Sequence, residues 1–311
     1  MEQAAISIIG NRSVVVTSRE GGAVLHVKKP ATYREQVEAL QKKGLVIQNE
    51  HRCEQFLQRV TYYRFSAYLY PFRQTADRHI ENVTFERVYE IYEFDRKIRA
   101  LLLQVMEEIE LMLRSQLSYY HVHKYGELGY MRAECFNKNH RHRQYLRLVE
   151  DVVEDNKTDA IVRHHQEKYD GLFPLWVVID FFSIGMLSYF YADLLPQDKK
   201  ALAGQLYQTT PQHLESWLRC LTDLRNRCAH YSRLYFWNFV SLPKLPKGVK
   251  WEMMHKLFDQ MLMLKFLYPD RQRWNQHFMP QLEALIDAYA QDIELDHIGF
   301  PDNWYSRLQH E

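Results

Sequence analysis

The sequence predicts an all-α fold, on three observations. Apolar residues recur at three- and four-residue steps over long stretches, above all between Phe85 and Tyr125. Glycine and proline are sparse, 11 and 10 in 311 residues, so long segments run without a breaker. Beyond residue 30 no segment alternates apolar and polar positions as a half-buried strand does. A chain that is 46% hydrophobic and 25% charged is globular and can bury a sizeable core.

Residues 1–28 contain two β-prone pieces, "AISIIG" and "SVVVTS", which read as a small β ribbon or a poorly ordered tail. They lack the basic start and long apolar run of a secretory signal. An N-terminal helical region follows over 29–80. Thr32 and Glu35 form a T-x-x-E capping box, Tyr33, Val37 and Leu40 make one apolar stripe, and Gly44 closes the helix. A second helix after Asn49 leads into "YYRFSAYLYPFR" and ends at Pro71.

A helical bundle is expected over 81–248. Its longest helix carries Ile98, Leu101, Leu102, Val105, Ile109, Met112, Leu113, Leu117 and Tyr120 as a stripe, with Glu110 and Arg114 four apart as an ion pair on its surface. Another long helix is expected over about 140–168, and an apolar one over about 175–192. Thr210 and Pro211 supply an N-cap and a proline at the first helical position. The helix they open buries Leu214, Trp217, Leu218, Leu221 and Leu224, then delivers "RNRCAHY". "LPKLPKG" ends the unit, and helical patterns over about 251–268 and 281–293 form a C-terminal region, 249–311.

Several function classes fall away on composition. Cys53, Cys135, Cys220 and Cys228 are scattered, which argues against a zinc knuckle or a disulfide framework and fits a reducing cytoplasm. The apolar stretch 172–195 approaches the length of a membrane span. Asp180 near its centre would cost roughly 2.5–3.5 kcal/mol on insertion, so a helix buried in the bundle is the better reading. His121/His123 and His140/His142 are two apart, and such pairs diverge by about 160° on a helix, so no metal site is expected. Net charge is only +1, but its distribution is uneven: Arg219 to Lys250 holds seven basic residues against Asp223 alone. A basic surface there suits a polyanion, and two solvated faces of opposite sign are the plainer alternative.

In "RNRCAHY", Asn226 and His230 lie one turn apart and about 40° round the helix, with Arg225 about 100° from Asn226. Asn226 can orient the imidazole, and the Arg225 fork can reach a phosphate over the same ridge. RNA cleavage by its own 2′-hydroxyl needs an acid/base that titrates near neutrality and a cation for the charge developing on phosphorus oxygens. Histidine and arginine supply these without a metal or cofactor. One histidine serves poorly as both acid and base, so two motifs meeting across a symmetric homodimer would complete the site. Arg227, Tyr231 and Arg233 beside the motif, and Arg141 and Arg143 in the basic run "NKNHRHRQYLR", are candidate RNA contacts. Glu110 and Arg114 are candidate supports that could orient Arg225, with ordinary helix-surface pairing as the alternative.

Six blocks in order, "KPATYREQVEALQKKGL", "YYRFSAYLYPFR", "YEFDRKIRALLLQVMEEIELMLR", "KYGELGY", "PLWVVIDFFSIGMLSYFY" and "LRNRCAHYSRLY", resemble the Abi-like (AbiD/AbiF) abortive-infection family of the HEPN superfamily. The resemblance runs from about Lys29 to about Pro246. It implies a HEPN-type helical bundle with added N- and C-terminal helices. It also implies a metal-independent endoribonuclease site of R-x4-H type, completed by dimerisation. On this chain that motif is Arg225 and His230, with Asn226 in its usual second position. Related proteins act in phage defence, and some associate with a small noncoding RNA. Tyr231 stands where many members carry a second histidine. The expected function is therefore RNA cleavage leaving 2′,3′-cyclic phosphate and 5′-hydroxyl ends. The alternative is a non-catalytic protein that binds a noncoding RNA or senses a phage component. Neither DNA nor a membrane is an expected partner.

Overall fold

A computed structural model describes residues 6–8, 13–15, 29–73 and 80–310. Near the N-terminus β1 (Ile6–Ile8) pairs antiparallel with β2 (Ser13–Val15), which is the ribbon reading of this stretch; the rest of residues 1–28 lies outside the described residues. The remaining regular structure among the described residues is helical, apart from one short parallel pair and two isolated bridges.

α1 (Tyr33–Gln41) begins on the expected capping box, with Thr32 and Glu35 each accepting from the other's backbone. Val37 and Leu40 are buried, whereas Tyr33 is exposed and no part of the stripe. Gly44 follows with φ +95°, and a Cβ there would lie 1.9 Å from the Ile80 carbonyl oxygen, so the close approach of these two strands of chain demands glycine. That approach lets β3 (Leu45–Val46) pair in parallel with β4 (Val83–Thr84). α2 (Glu50–Leu57) and α3 (Tyr62–Ser66) are separate helices, and Pro71 sits inside the 3-10 turn Ala67–Phe72 instead of ending an α-helix.

The axis of the fold is α4 (Phe85–Tyr125), capped by Thr84 through Arg87 N and ended by Gly126 at φ 79°. Its bounds are those its periodicity predicts. The helix expected over 140–168 is two, α5 (His142–Asp155) and α6 (Ala160–Lys168), because Asp159 caps a new start at Ile161 N. The expected apolar helix is also divided. α7 (Leu175–Val178) runs into a 3-10 turn, and Ser183 then caps α8 (Ile184–Asp193) through Met186 N. Asp180 lies on the turn, exposed to solvent, not inside an apolar helix. Among the described residues no helix is long and apolar enough to cross a membrane.

α9 (Pro196–Tyr207) leads to α10 (Pro211–Ala229), which starts on Thr210 and Pro211 as its sequence requires. α10 packs against α4, α8 and α11 (Leu257–Leu267). The C-terminal patterns resolve into α11, α12 (Arg271–Arg273), α13 (Met279–Ala288) and α14 (Trp304–Leu308). A π-helical turn, Trp274–Phe278, joins α12 to α13. It widens the backbone just before Pro280, whose ring would otherwise clash with a carbonyl one turn back. One hydrophobic core runs from Val37 to Leu308, so the regions on either side of the bundle share its interior.

Candidate active site

The buried face of α10 is Leu214, Trp217, Leu218, Leu221, Leu224 and Cys228. That choice turns Arg225 and Asn226 outward. Cys228, inside the motif, is a packing residue: burial pushes its thiol up to about 12, far from nucleophilic use.

Arg225 meets α4. Its Nε donates to Glu110 Oε1 at 3.2 Å, across 115 residues of chain. Glu110 is buried, and its other oxygen lies 3.5 Å from Arg114 Nη2, which also donates to the Phe182 carbonyl at 2.9 Å. The pair expected on the α4 surface is therefore a largely buried three-membered array, with one carboxylate between two guanidinium groups. The Arg225 side chain remains 37% exposed, and among the described residues its terminal nitrogens have no partner. Glu110 thus fixes the root of the fork and leaves its tines for an anion.

His230 is the C-cap of α10, with φ −89° and ψ 14°, so the chain leaves the helical path just after it. Its backbone N–H donates to Asn226 O at 2.9 Å. Both side chains are exposed and, among the described residues, neither makes a hydrogen bond. Tyr231 then takes φ +57°, and the bonds Tyr231 N to Cys228 O (3.1 Å) and Ser232 N to Arg227 O (2.8 Å) complete a Schellman turn. Glycine is the usual residue at that position; here an exposed tyrosine holds it.

The next residues are pinned one by one. Arg64 donates to Tyr231 O, Arg99 to Ser232 O at 3.4 Å, and Arg227 to Arg233 O at 2.8 Å. Leu234 N and Tyr235 N both donate to the carboxylate of Asp95, at 3.0 and 2.7 Å. Asp95 is wholly buried, pairs with Arg99 and accepts from Tyr68 Oη at 2.6 Å. Burial pushes its carboxyl up, against the pull of Arg99 and of the Tyr68, Tyr235 and Leu234 donors. Asp95, Arg99 and Arg64 are absent from the sequence-derived site. A signal existed: Asp95 and Arg99 are charges four apart on the apolar face of α4.

The remaining candidates divide. Arg227 lies over Trp237 at 3.7 Å, and Arg233 donates to Ala67 O beneath Tyr70. Burial lowers both guanidinium pKa values, and both side chains brace the loop while still lining clefts. Arg141 lines a cleft of about 360 Å³ that shares Tyr189 with a second cleft containing Asn226, whereas Arg143 is exposed on α5 and lines neither. His140 and His142 do meet, Nε2 to Nδ1 at 3.2 Å, because His140 precedes α5. Asp193 and the Met131 carbonyl occupy the two outer nitrogens, so this array clamps the start of α5. Among the described residues no three His, Cys, Asp or Glu side chains form a metal-binding group.

The sequence profile of the Abi-like protein family matches residues 55–236, more than half of the chain. The chain belongs to the Abi-like family. The matched span holds both partners of the Arg225–Glu110 pair and ends just after the segment that Asp95 secures. No curated protein and no solved structure matches the chain.

Proposed function

We propose that this Abi-like protein is a metal-independent endoribonuclease of the HEPN R-x4-H type that acts in phage defence by abortive infection. One observation carries the reading: Arg225 is anchored through Nε by buried Glu110 with its terminal nitrogens open, five residues before an exposed, unengaged His230. Arg225 holds the phosphate and stabilises charge on its oxygens, and His230 moves the proton of the attacking 2′-hydroxyl or the leaving 5′-oxygen. Asn226 aligns the imidazole once RNA is bound. A second copy of the chain supplies the second histidine and arginine across a two-fold axis. The products are 2′,3′-cyclic phosphate and 5′-hydroxyl ends.

The open state of Asn226 and His230 also favours a second reading, RNA binding without turnover. The two separate on incubation of a mixed cellular RNA pool in EDTA, with and without lysate from phage-infected cells, using wild type and His230→Ala. Cuts ending in 5′-hydroxyl groups only with wild type support the nuclease. RNA that copurifies equally with both proteins and stays intact supports the binding protein.

A further inference from the structure

Two clefts flank the segment after His230. One, of about 530 Å³, lies between Arg59, Arg64, Arg96, Arg99 and Tyr231; the other, of about 690 Å³, between Arg64, Tyr63, Tyr70, Arg227, Arg233 and Trp237. They share Thr61 and Arg64, so they adjoin as two halves of a trough, with the Arg64–Tyr231 contact between them. Among the described residues no carboxylate lines either cleft. Arg96 and Arg99 are neutralised from behind by Glu93 and Asp95. Arg59, Arg64, Arg227 and Arg233 have no carboxylate partner among the described residues. A chain of net charge +1 has thus gathered four guanidinium groups outside any ion pair along these two clefts, three of them steadied by backbone carbonyls. Three exposed tyrosine rings stand around them, Tyr63 at 73% exposure, Tyr231 at 69% and Tyr70 at 50%, the last with the Arg73 guanidinium 3.9 Å over its ring.

We propose that this trough is a docking channel for single-stranded RNA, and that residues 59–70 form one wall of the substrate path; the inference rests on the RNA reading above. The chemistry selects the occupant. Guanidinium forks match phosphate oxygens, and exposed phenol rings offer stacking faces to unpaired bases. A duplex hides its base faces and would leave the tyrosines unused. The strained left-handed backbone of Tyr231 has a purpose in this setting: glycine would relieve the strain and remove a ring from the cleft beside Arg59 and Arg96.

The test measures fluorescence anisotropy of a labelled 20-nucleotide mixed-sequence RNA, single-stranded or fully paired, with full-length His230→Ala protein in EDTA. Tyr63→Ala, Tyr70→Ala and Arg59→Ala are added to that background, with Tyr119→Ala, an exposed tyrosine on α4, as control. Each trough tyrosine should weaken single-strand binding by about 5- to 150-fold, the range of a lost base stack, while Tyr119→Ala and the melting temperatures stay unchanged. The single strand should bind at least about tenfold more tightly than the duplex. Firm RNA binding that ignores the trough variants overturns this inference and leaves the nuclease reading intact. Failure of the unmodified background to bind any RNA overturns both. A concentration-dependent dimer that the trough variants dissolve, with RNA affinity unaffected, overturns it in favour of a self-interface.

Discussion

Replacing Asp95 by alanine should be among the most damaging single changes in this protein, and the cost can be worked from its contacts. The substitution strands the Arg99 guanidinium, 4% exposed, with no carboxylate beside it. It also strips the acceptor from Leu234 N, Tyr235 N and Tyr68 Oη. Breaking a buried ion pair by removing one partner costs about 3–5 kcal/mol, and each buried donor left unpaired adds about 1–3 kcal/mol unless water reaches it. Water entering the vacated space will satisfy most of those donors, so the expected loss stays near the ion-pair figure, about 4 kcal/mol, a large fraction of the roughly 5–15 kcal/mol that holds a domain folded. The double variant Asp95→Ala/Arg99→Met removes the stranded charge and should regain about 1–3 kcal/mol of it. Urea denaturation followed by circular dichroism and tryptophan fluorescence measures both. A loss below about 1 kcal/mol for Asp95→Ala, or a double variant no better than the single, would refute the assignment of Asp95 as the anchor.

Tyr231→Gly should raise stability by about 1 kcal/mol, because glycine meets the left-handed φ of +57° without strain; a thermal melt that falls instead would contradict the turn geometry. His121 is buried, and that burial pushes its imidazole down from 6.5 to about 4. The unfolded chain therefore takes up a proton below about pH 6.5 that the folded chain refuses until about pH 4. Stability should be complete above pH 6.5 and fall by about 3 kcal/mol as pH drops towards 4, and His121→Phe should flatten that slope in urea titrations at pH 7 and 4.5. Glu110→Gln should lower the rate of RNA cleavage at saturating RNA by about 10- to 100-fold through a loosened Arg225, with little change in half-saturation; unchanged turnover would make the pair purely structural.

The helices that sequence places well are those whose caps and periodicity agree. α4 and α10 begin on Thr84 and Thr210 and carry unbroken apolar stripes, so tertiary packing had nothing to overrule. The divisions elsewhere depend on single capping side chains inside continuous apolar or mixed pattern. Asp159 and Ser183 each start a helix where hydrophobicity alone shows no break. The site follows the same division. Arg225 and His230 stand out by residue type and spacing, but the partners that aim them come from 115 to 167 residues away in the chain, as with Glu110 and Arg64. Periodicity reports which residues face inward, not which pairs of inward charges meet.

The pins on residues 231–235 bear on when the end of α10 takes its final place. Arg64, Asp95 and Arg99 leave the ribosome well before the segment they hold, separated from it by 133 to 167 residues. Bringing such distant points together closes long loops, whose entropy must be met before the contacts return anything. A nascent chain that stops short of Tyr235 lacks part of the pinned segment, and a fragment cut between Arg99 and Arg225 parts the motif from Asp95 and Arg99. Pinning of the motif end therefore reports that residues 64 to 235 of one chain have folded together.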